Sequence, residues 1–387
     1  MTRSPMSVIE SPIYLDHNAT TPLLPGVVEA MLPYLTTEYG NPSSAHPAGR
    51  RAREAVEAAR TQVASLLGCS ANEVFFTSGG TEANNLAIRG VADATGARKH
   101  CVTSLIEHPA TTNPCRHLER NGWSVDWLEV GKGGGVRLDH AAERISDATA
   151  LVTVMHANNE TGTTQPIREL ADIARCRGAL VHTDAAQTVG KVRVDVDTLG
   201  VDLLTIAGHK LNGPKGVGAL YVRQGTPIHP LLLGAGHERG LRPGTENVAS
   251  IVGLGAACES ARNTLDSRTR TLAELRDRLW ESLQRAIPGL QLNGDPTQRL
   301  PNTLSVRFPG VCGTAVLAAT PSIAASTGSA CHEGHETPSG VLVAMGLASD
   351  EALRTVRLSV GTTTSSEEVD VAAKALVRGW LAASEGA

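Results

Sequence analysis

The stretch NEVFFTSGGTEANNLAIRG, residues 72–90, carries the sharpest structural statement in the chain. NEVFFT (72–77) reads as a short strand, and SGGTEANNLAIRG continues as a glycine turn followed by a helix. Working outward, short apolar runs recur: KHCVTS (99–104), GWSVDWLEV (122–130), ATALVTVMHA (148–157), GALVHTD (178–184), VDLLTIAG (201–208) and GVGALYVR (216–223). Helical patterns such as PIRELADIARCRG (166–178) lie between some of them. Strands alternating with helices predict an α/β fold with a largely parallel sheet covered on both faces. Upstream, SAHPAGRRAREAVEAARTQVASLLG (44–68) reads as a long amphipathic helix stopped at Gly68. From about residue 260 the texture changes. ESARNTLDSRTRTLAELRDRLWESLQRAI (259–287) is a long polar helix pattern, followed by the short strands NTLSVRF, SIAAS and TVRLSV and a closing helix from about 366. This predicts a smaller C-terminal α/β domain.

The totals are those of a soluble globular chain. Of 387 residues, 41% are hydrophobic, 19% charged and only 3% aromatic, so Leu, Val, Ile and Ala must fill the interior. The formal charge of −4, with no long basic cluster, argues against a nucleic-acid groove. No apolar run reaches the length of a membrane span, and MTRSPMSVIE lacks the apolar core of a signal peptide, which predicts a cytoplasmic protein. The seven cysteines are odd in number and form no CxxC pair, against a disulfide framework or a zinc site; no metal is expected. Six of them, Cys69, Cys101, Cys115, Cys176, Cys258 and Cys312, read mostly as small buried hydrophobes. Cys331 differs, because STGSACHEG (326–334) is too small and polar to pack a core.

Three features point to one cofactor. In TSGGTE (77–82) backbone N–H groups at a helix start suit a phosphate, and Thr81 adds a hydroxyl. Alone this is weak, since glycine turns before helices are usually structural. AGHKLNGPKGVG (207–218) fixes Lys210 in a glycine-rich turn after a strand, where a desolvated lysine can act as a Schiff-base nucleophile. HTDAAQ (182–187) ends another strand on Asp184, which could equally cap the next helix. Pyridoxal phosphate requires a phosphate cradle, a Schiff-base lysine and an acid at its pyridinium nitrogen. All three occur here at strand ends of one α/β unit, where open sheets bind ligands.

These residues also carry a family likeness. YLDHNATTP, GNPSSAH, TSGGTEANN, EHPA, MHANNETG, HTDAAQTVGK, GHKLNGPKG, GHERGLRPGTEN, STGSACHEG and VRLSVG, in register from about 13 to 375, resemble the cysteine desulfurases. The resemblance implies a fold-type I pyridoxal phosphate enzyme, with a large domain over 13–258, N-terminal arm included, and a small domain over 259–387 carrying the Cys331 loop. It implies that Lys210 binds the cofactor, Asp184 pairs with the pyridine nitrogen, and Gln187 bonds the ring oxygen with Asn159 beside it. His108 would stack on the ring and move protons. Gly80, Thr81 and His209 would hold the phosphate, joined by Thr245 from the partner subunit of a homodimer. Arg357 would clamp the carboxylate of L-cysteine, and Cys331 would take the sulfur as a persulfide, leaving alanine. An acceptor protein, such as an iron–sulfur scaffold, a thiolating protein or a sulfur carrier, would then receive it.

Two positions depart from the family pattern: Ala207 stands where many relatives have serine, and Thr362 where many have arginine. ACHEG and TPSGVL also resemble the selenocysteine lyases, a close branch that would release selenium instead. A non-catalytic sulfur-relay scaffold would not need Lys210, Asp184 and Cys331 together, and an aminotransferase would leave Cys331 idle.

Overall fold

The structure is a computed structural model that describes residues 12–328 and 337–385 in full, and residues 331–332 and 335–336 by their backbone. A seven-stranded sheet forms its centre, in the order Val74–Thr77, Gly218–Val222, Leu203–Ala207, Leu180–Asp184, Thr149–Thr153, His100–Ser104, Ser124–Leu128. The last five run parallel, while Gly218–Val222 is antiparallel to both its neighbours. Only residues 208–217 separate Ala207 from Gly218, too short a link for the crossover that a parallel pair requires. Successive residues point to opposite faces. Cys101, Leu151, Leu203 and Leu220 join one apolar cluster, and their neighbours Val102, Val152, Leu204 and Ala219 join another.

The helix Pro47–Leu67 starts at His46, whose ring accepts the Gly49 N–H, and ends at Gly68 with φ of 71°. The polar helix pattern expected from 259 belongs to a 39-residue helix, Val248–Ala286, capped by Asn247. Its first turns were illegible because Gly253 and Gly255 depress helix propensity. They are there for packing: a Cβ on Gly255 would lie 2.7 Å from Ala59 Cβ in the Pro47–Leu67 helix. This helix serves two cores. Ile251, Leu254, Ala257, Cys258 and Ala261 pack with the large sheet. Leu272, Leu275, Leu279 and Leu283 pack with Val306, Phe308, Val356 and Leu376 around an antiparallel sheet of Thr355–Ser359, Thr303–Arg307 and Gln291–Leu292. Position 258 therefore lies inside one continuous helix. The closing helix is Ser366–Glu385. At the other end of the chain Ile13–Tyr14 pairs with Ile323–Ala324, and Leu15 is buried in the second core. The arm then crosses to the large sheet.

Cys101, Cys115 and Cys258 are buried and Cys69 is half-buried, but Cys176 and Cys312 are exposed. Both exposed residues flank short helices, Cys176 following Ile167–Arg175 and Cys312 preceding Gly313–Ala318.

A buried ion pair fixes the first strand. Glu238 Oε1 accepts from Arg60 Nη2 at 2.7 Å, and its Oε2 accepts from Arg60 Nη1 and from the Phe76 N–H, both at 2.8 Å. Arg60 also donates to the Val74 carbonyl at 2.8 Å. Glu238 holds φ of 45°, in the left-handed region, so these bonds also stabilise a strained turn. Removing one partner of a buried pair strands the other charge. Glu238→Ala is expected to lower unfolding free energy by about 3–5 kcal/mol in urea titration. A loss below about 1 kcal/mol would reduce the pair to a surface-like contact.

Candidate active site

The carboxyl ends of the central strands meet the crossing N-terminal arm around a cavity of about 450 Å³. Gly80, Thr81, His108, Asn159, Asp184, Gln187, His209, Lys210 and Arg357 all line it. Several of them are delivered by the ends of elements or the turns that follow, whereas Arg357 sits in the middle of the strand Thr355–Ser359 and Asn159 and Gln187 lie in loops. The strand Val74–Thr77 turns at Gly79, with φ of 148°, into the helix Gly80–Ala94, whose start carries no side-chain cap. Its first backbone N–H groups are thus without an intrahelical partner and suit an anion. Asp184 closes the strand Leu180–Asp184 and is oriented by two donors: Asn84 Nδ2 at 2.7 Å and the Ala186 N–H at 2.9 Å.

Lys210 follows the strand Leu203–Ala207. Its ammonium donates to the carbonyls of Asn18 at 2.5 Å and Ala19 at 2.8 Å. Burial, then the nearby Arg357 cation, lowers its pKa to about 8 against the pull of Asp184 and Asp16. Near pH 7 a pKa of 8 leaves roughly a tenth of the amine neutral, about 200-fold more than an ordinary lysine. His108 caps the helix Pro109–Arg120, its Nδ1 accepting the Ala110 N–H at 3.1 Å, so the neutral ring carries its proton on Nε2. Burial lowers its pKa, Asp184 opposes this and Lys210 adds to it. The turn before His108 is tied down by Glu107, which is buried and accepts the Met155 N–H at 3.0 Å and the Ser104 hydroxyl at 2.5 Å. Burial pushes the Glu107 carboxyl up to about 8. His209 shares a hydrogen bond with Thr20 Oγ1 at 3.1 Å, and burial, with Lys210, lowers its pKa to about 4.

Arg357 comes from the second core. Its Nη2 donates to Asp16 at 2.7 Å and its Nη1 to the Asn159 carbonyl at 3.2 Å. Its Nε is buried with no hydrogen-bond partner, so the guanidinium keeps unused donors.

Two expected residues stand apart. Thr245 lies on an exposed loop before the helix Val248–Ala286 and does not line the cavity. The side chain of Cys331 lies outside the described residues, although its backbone pairs with Glu336 in a two-stranded ribbon. Both roots of that segment lie against Glu160: Ser339 Oγ donates to it, and a Cβ on Gly328 would lie 2.9 Å from its Oε2. Glu160 follows Asn159, so the segment starts and ends beside the cavity. Of the two departures, Ala207 lines the cavity near Gly80, and Thr362 donates to Asn212 at 3.4 Å.

Asp16, Asn18, Ala19 and Asn84 were not picked out from the sequence. Asn18 and Ala19 act through backbone carbonyls, which no side-chain pattern announces. Asn84 is found only once its helix is laid across the strand bearing Asp184.

A model of the class-V aminotransferase family matches residues 13–371. A cysteine desulfurase of Nostoc sp. is 47% identical over 362 residues, covering 93% of this chain and 90% of its own. The chain belongs to the cysteine desulfurase family of class-V aminotransferases. The family assignment extends to a cysteine desulfurase IscS of Methanosarcina thermophila, 47% identical over 92% of this chain and 89% of that one. Among solved structures, a NifS-like protein superposes with a TM-score of 0.89 at 37% identity, covering 95% of this chain and 98% of its own. SspA in complex with cysteine superposes at 0.80 and 37% identity, over 90% of this chain and 98% of that one. Members of this family are pyridoxal phosphate enzymes.

Proposed function

We propose that the chain is a pyridoxal phosphate-dependent cysteine desulfurase, which moves the sulfur of L-cysteine onto Cys331 as a persulfide and leaves L-alanine. The observation that carries this reading is Lys210: a half-buried amine of lowered pKa, held by neutral carbonyls, in one cavity with Asp184 and an uncapped helix start. That donor set fits the cofactor. Gly80, Thr81 and His209 would hold its phosphate, Asp184 its ring nitrogen and Gln187 its ring oxygen, with His108 against the ring and Asn159 beside it. When bound, pyridoxal phosphate supplies a sink for the electron pair left at the substrate Cα.

The chain's own residues do the rest. Arg357, with Nε unsatisfied, binds the substrate carboxylate. Neutral Lys210 takes the Cα proton and later returns one, with His108 within the same cavity to assist. The Cys331 thiolate attacks the substrate Sγ, and the new S–S bond forms as Cβ–S breaks. The bonding pair stays with Cβ, which takes a proton to become the methyl group of alanine, and the persulfide is carried to an acceptor protein such as an iron–sulfur scaffold. The position of Thr245 outside this cavity fits a homodimer in which it serves the partner's site. Val28, Leu32 and Leu35, 46%, 55% and 65% exposed at helical spacing, offer such a dimer an apolar face. The free described cysteines fit a reducing compartment, and we place the enzyme in the cytoplasm.

The test is turnover by purified, cofactor-loaded protein. L-cysteine is expected to yield alanine and, with a thiol reductant, sulfide in equal amounts. Absence of alanine would end the reading. Alanine from selenocysteine alone would replace it with selenocysteine lyase.

A further inference from the structure

We propose that Lys191 is a positioning residue for this site: from behind the cavity it holds the Gln187 amide in the orientation in which Gln187 and Lys210 share the carbonyl of Asn18. The inference rests on the cavity being a pyridoxal phosphate site. Lys191 is buried at 6% exposure, and among the described residues no carboxylate pairs with it. Its ammonium reaches two neutral acceptors, Gln187 Oε1 at 3.0 Å and Asn18 Oδ1 at 3.5 Å. Its backbone is held from the long helix, where Thr269 Oγ1 donates to the Lys191 carbonyl at 2.7 Å. A methionine would fill the same space without the cost of desolvating an amine, so the nitrogen itself has a task.

An amide has one accepting and one donating end. Lys191 occupies the accepting end of Gln187, which turns Nε2 to the Asn18 carbonyl at 3.0 Å. The same carbonyl takes Lys210 at 2.5 Å. With the amide reversed, Gln187 Oε1 would face the Asn18 oxygen and push two acceptors together. The path from Lys191 to Lys210 therefore runs through three hydrogen bonds, two of which share the Asn18 carbonyl.

The charged neighbours reinforce it. Lys210 in its turn, Arg357 on its strand and Arg268 on the long helix surround Lys191, together with His17 on the arm, which burial keeps neutral, and Asp184 and Asp16 act on Lys210. Burial, then Lys210 and Arg357, lowers the Lys191 pKa to about 7, so near neutral pH it carries only part of a positive charge beside Lys210.

The experiment compares wild type, Lys191→Met, Lys191→Gln, Gln187→Ala and the Lys191→Met/Gln187→Ala double variant, each loaded with pyridoxal phosphate. The visible band of the lysine-bound cofactor is titrated with pH, and the cofactor dissociation constant is measured. In Lys191→Met the midpoint is expected to rise by roughly one unit, because a nearby cation is lost, and the dissociation constant to rise about tenfold. Lys191→Gln, which keeps an N–H for Gln187, is expected to restore most of the affinity. The double variant should move no further than Gln187→Ala alone, as for two residues acting in series. A wild-type midpoint and dissociation constant in both Lys191 variants, or effects that add in the double variant, would overturn the proposal. A wild type that shows no visible band fails the cofactor reading instead, which keeps the two failures distinct.

Discussion

Lys210→Ala is expected to lose desulfurase activity by roughly a thousandfold or more, together with the visible absorbance of the lysine-bound cofactor. Two roles would disappear at once, the amine that binds the cofactor and the base that handles the Cα proton. Lys210→Arg separates these from simple packing. Arginine keeps the positive charge and can still donate to the Asn18 and Ala19 carbonyls, the contacts that Lys210 makes in the structure. It stays protonated at any working pH and is no nucleophile, so activity should be lost as completely as in the alanine variant. Substantial activity in Lys210→Arg would make the residue a structural tie between the arm and the sheet. The lowered pKa gives the wild type a further signature. Only the neutral amine can capture the cofactor, so the capture rate of the apoprotein should climb about tenfold per pH unit up to about 8, and then level off. An ordinary lysine would keep climbing toward about 10.4. Borohydride reduction followed by peptide mapping should find the pyridoxyl group on Lys210 and nowhere else.

Cys331→Ser is the second large effect. The variant should bind pyridoxal phosphate and L-cysteine as the wild type does, yet lose sulfide release by at least about a hundredfold, since a hydroxyl is a far poorer attacker of sulfur than a thiolate. A thiol of ordinary pKa, ~8.5, is only a few per cent ionised at pH 7, so the residual rate of the wild type also depends on what ionises Cys331. The exposed thiols of Cys176 and Cys312 are the natural controls. Cys312→Ser and Cys176→Ser should leave turnover unchanged. Near wild-type turnover in Cys331→Ser, or mass spectrometry placing the persulfide on Cys312, would refute the assignment. Selenocysteine has a weaker Cβ–Se bond and a better leaving group, so some release of selenium without Cys331 is compatible with either enzyme.

Much of this site can be read along the chain because its parts are local. TSGGTE, HTDAAQ and GHK each place a cavity-lining residue at the end of a strand or within three positions of it, and a strand end is visible in a window of a few residues. The order of those strands in the sheet then brings Gly80, Asp184 and Lys210 to one cavity. The antiparallel strand Gly218–Val222 and the early start of the helix Val248–Ala286 escaped this reading. The first turns on the length of a link, and the second on two glycines whose reason is a neighbouring helix, Pro47–Leu67.

The sequence by itself determined the fold class and the residue types at the strand ends, because period, turn chemistry and motif spacing are properties of short segments. Only the tertiary structure decided what surrounds them. Asn18 lends its carbonyl to Lys210 and Gln187 across 192 and 169 positions of chain. Asp16 and Arg357 meet across 341. Among the described residues Lys191 lies buried near cations without a carboxylate partner, and its lowered pKa follows first from that burial. Desolvation and long-range charge act through space, and a linear sequence does not record distance in space.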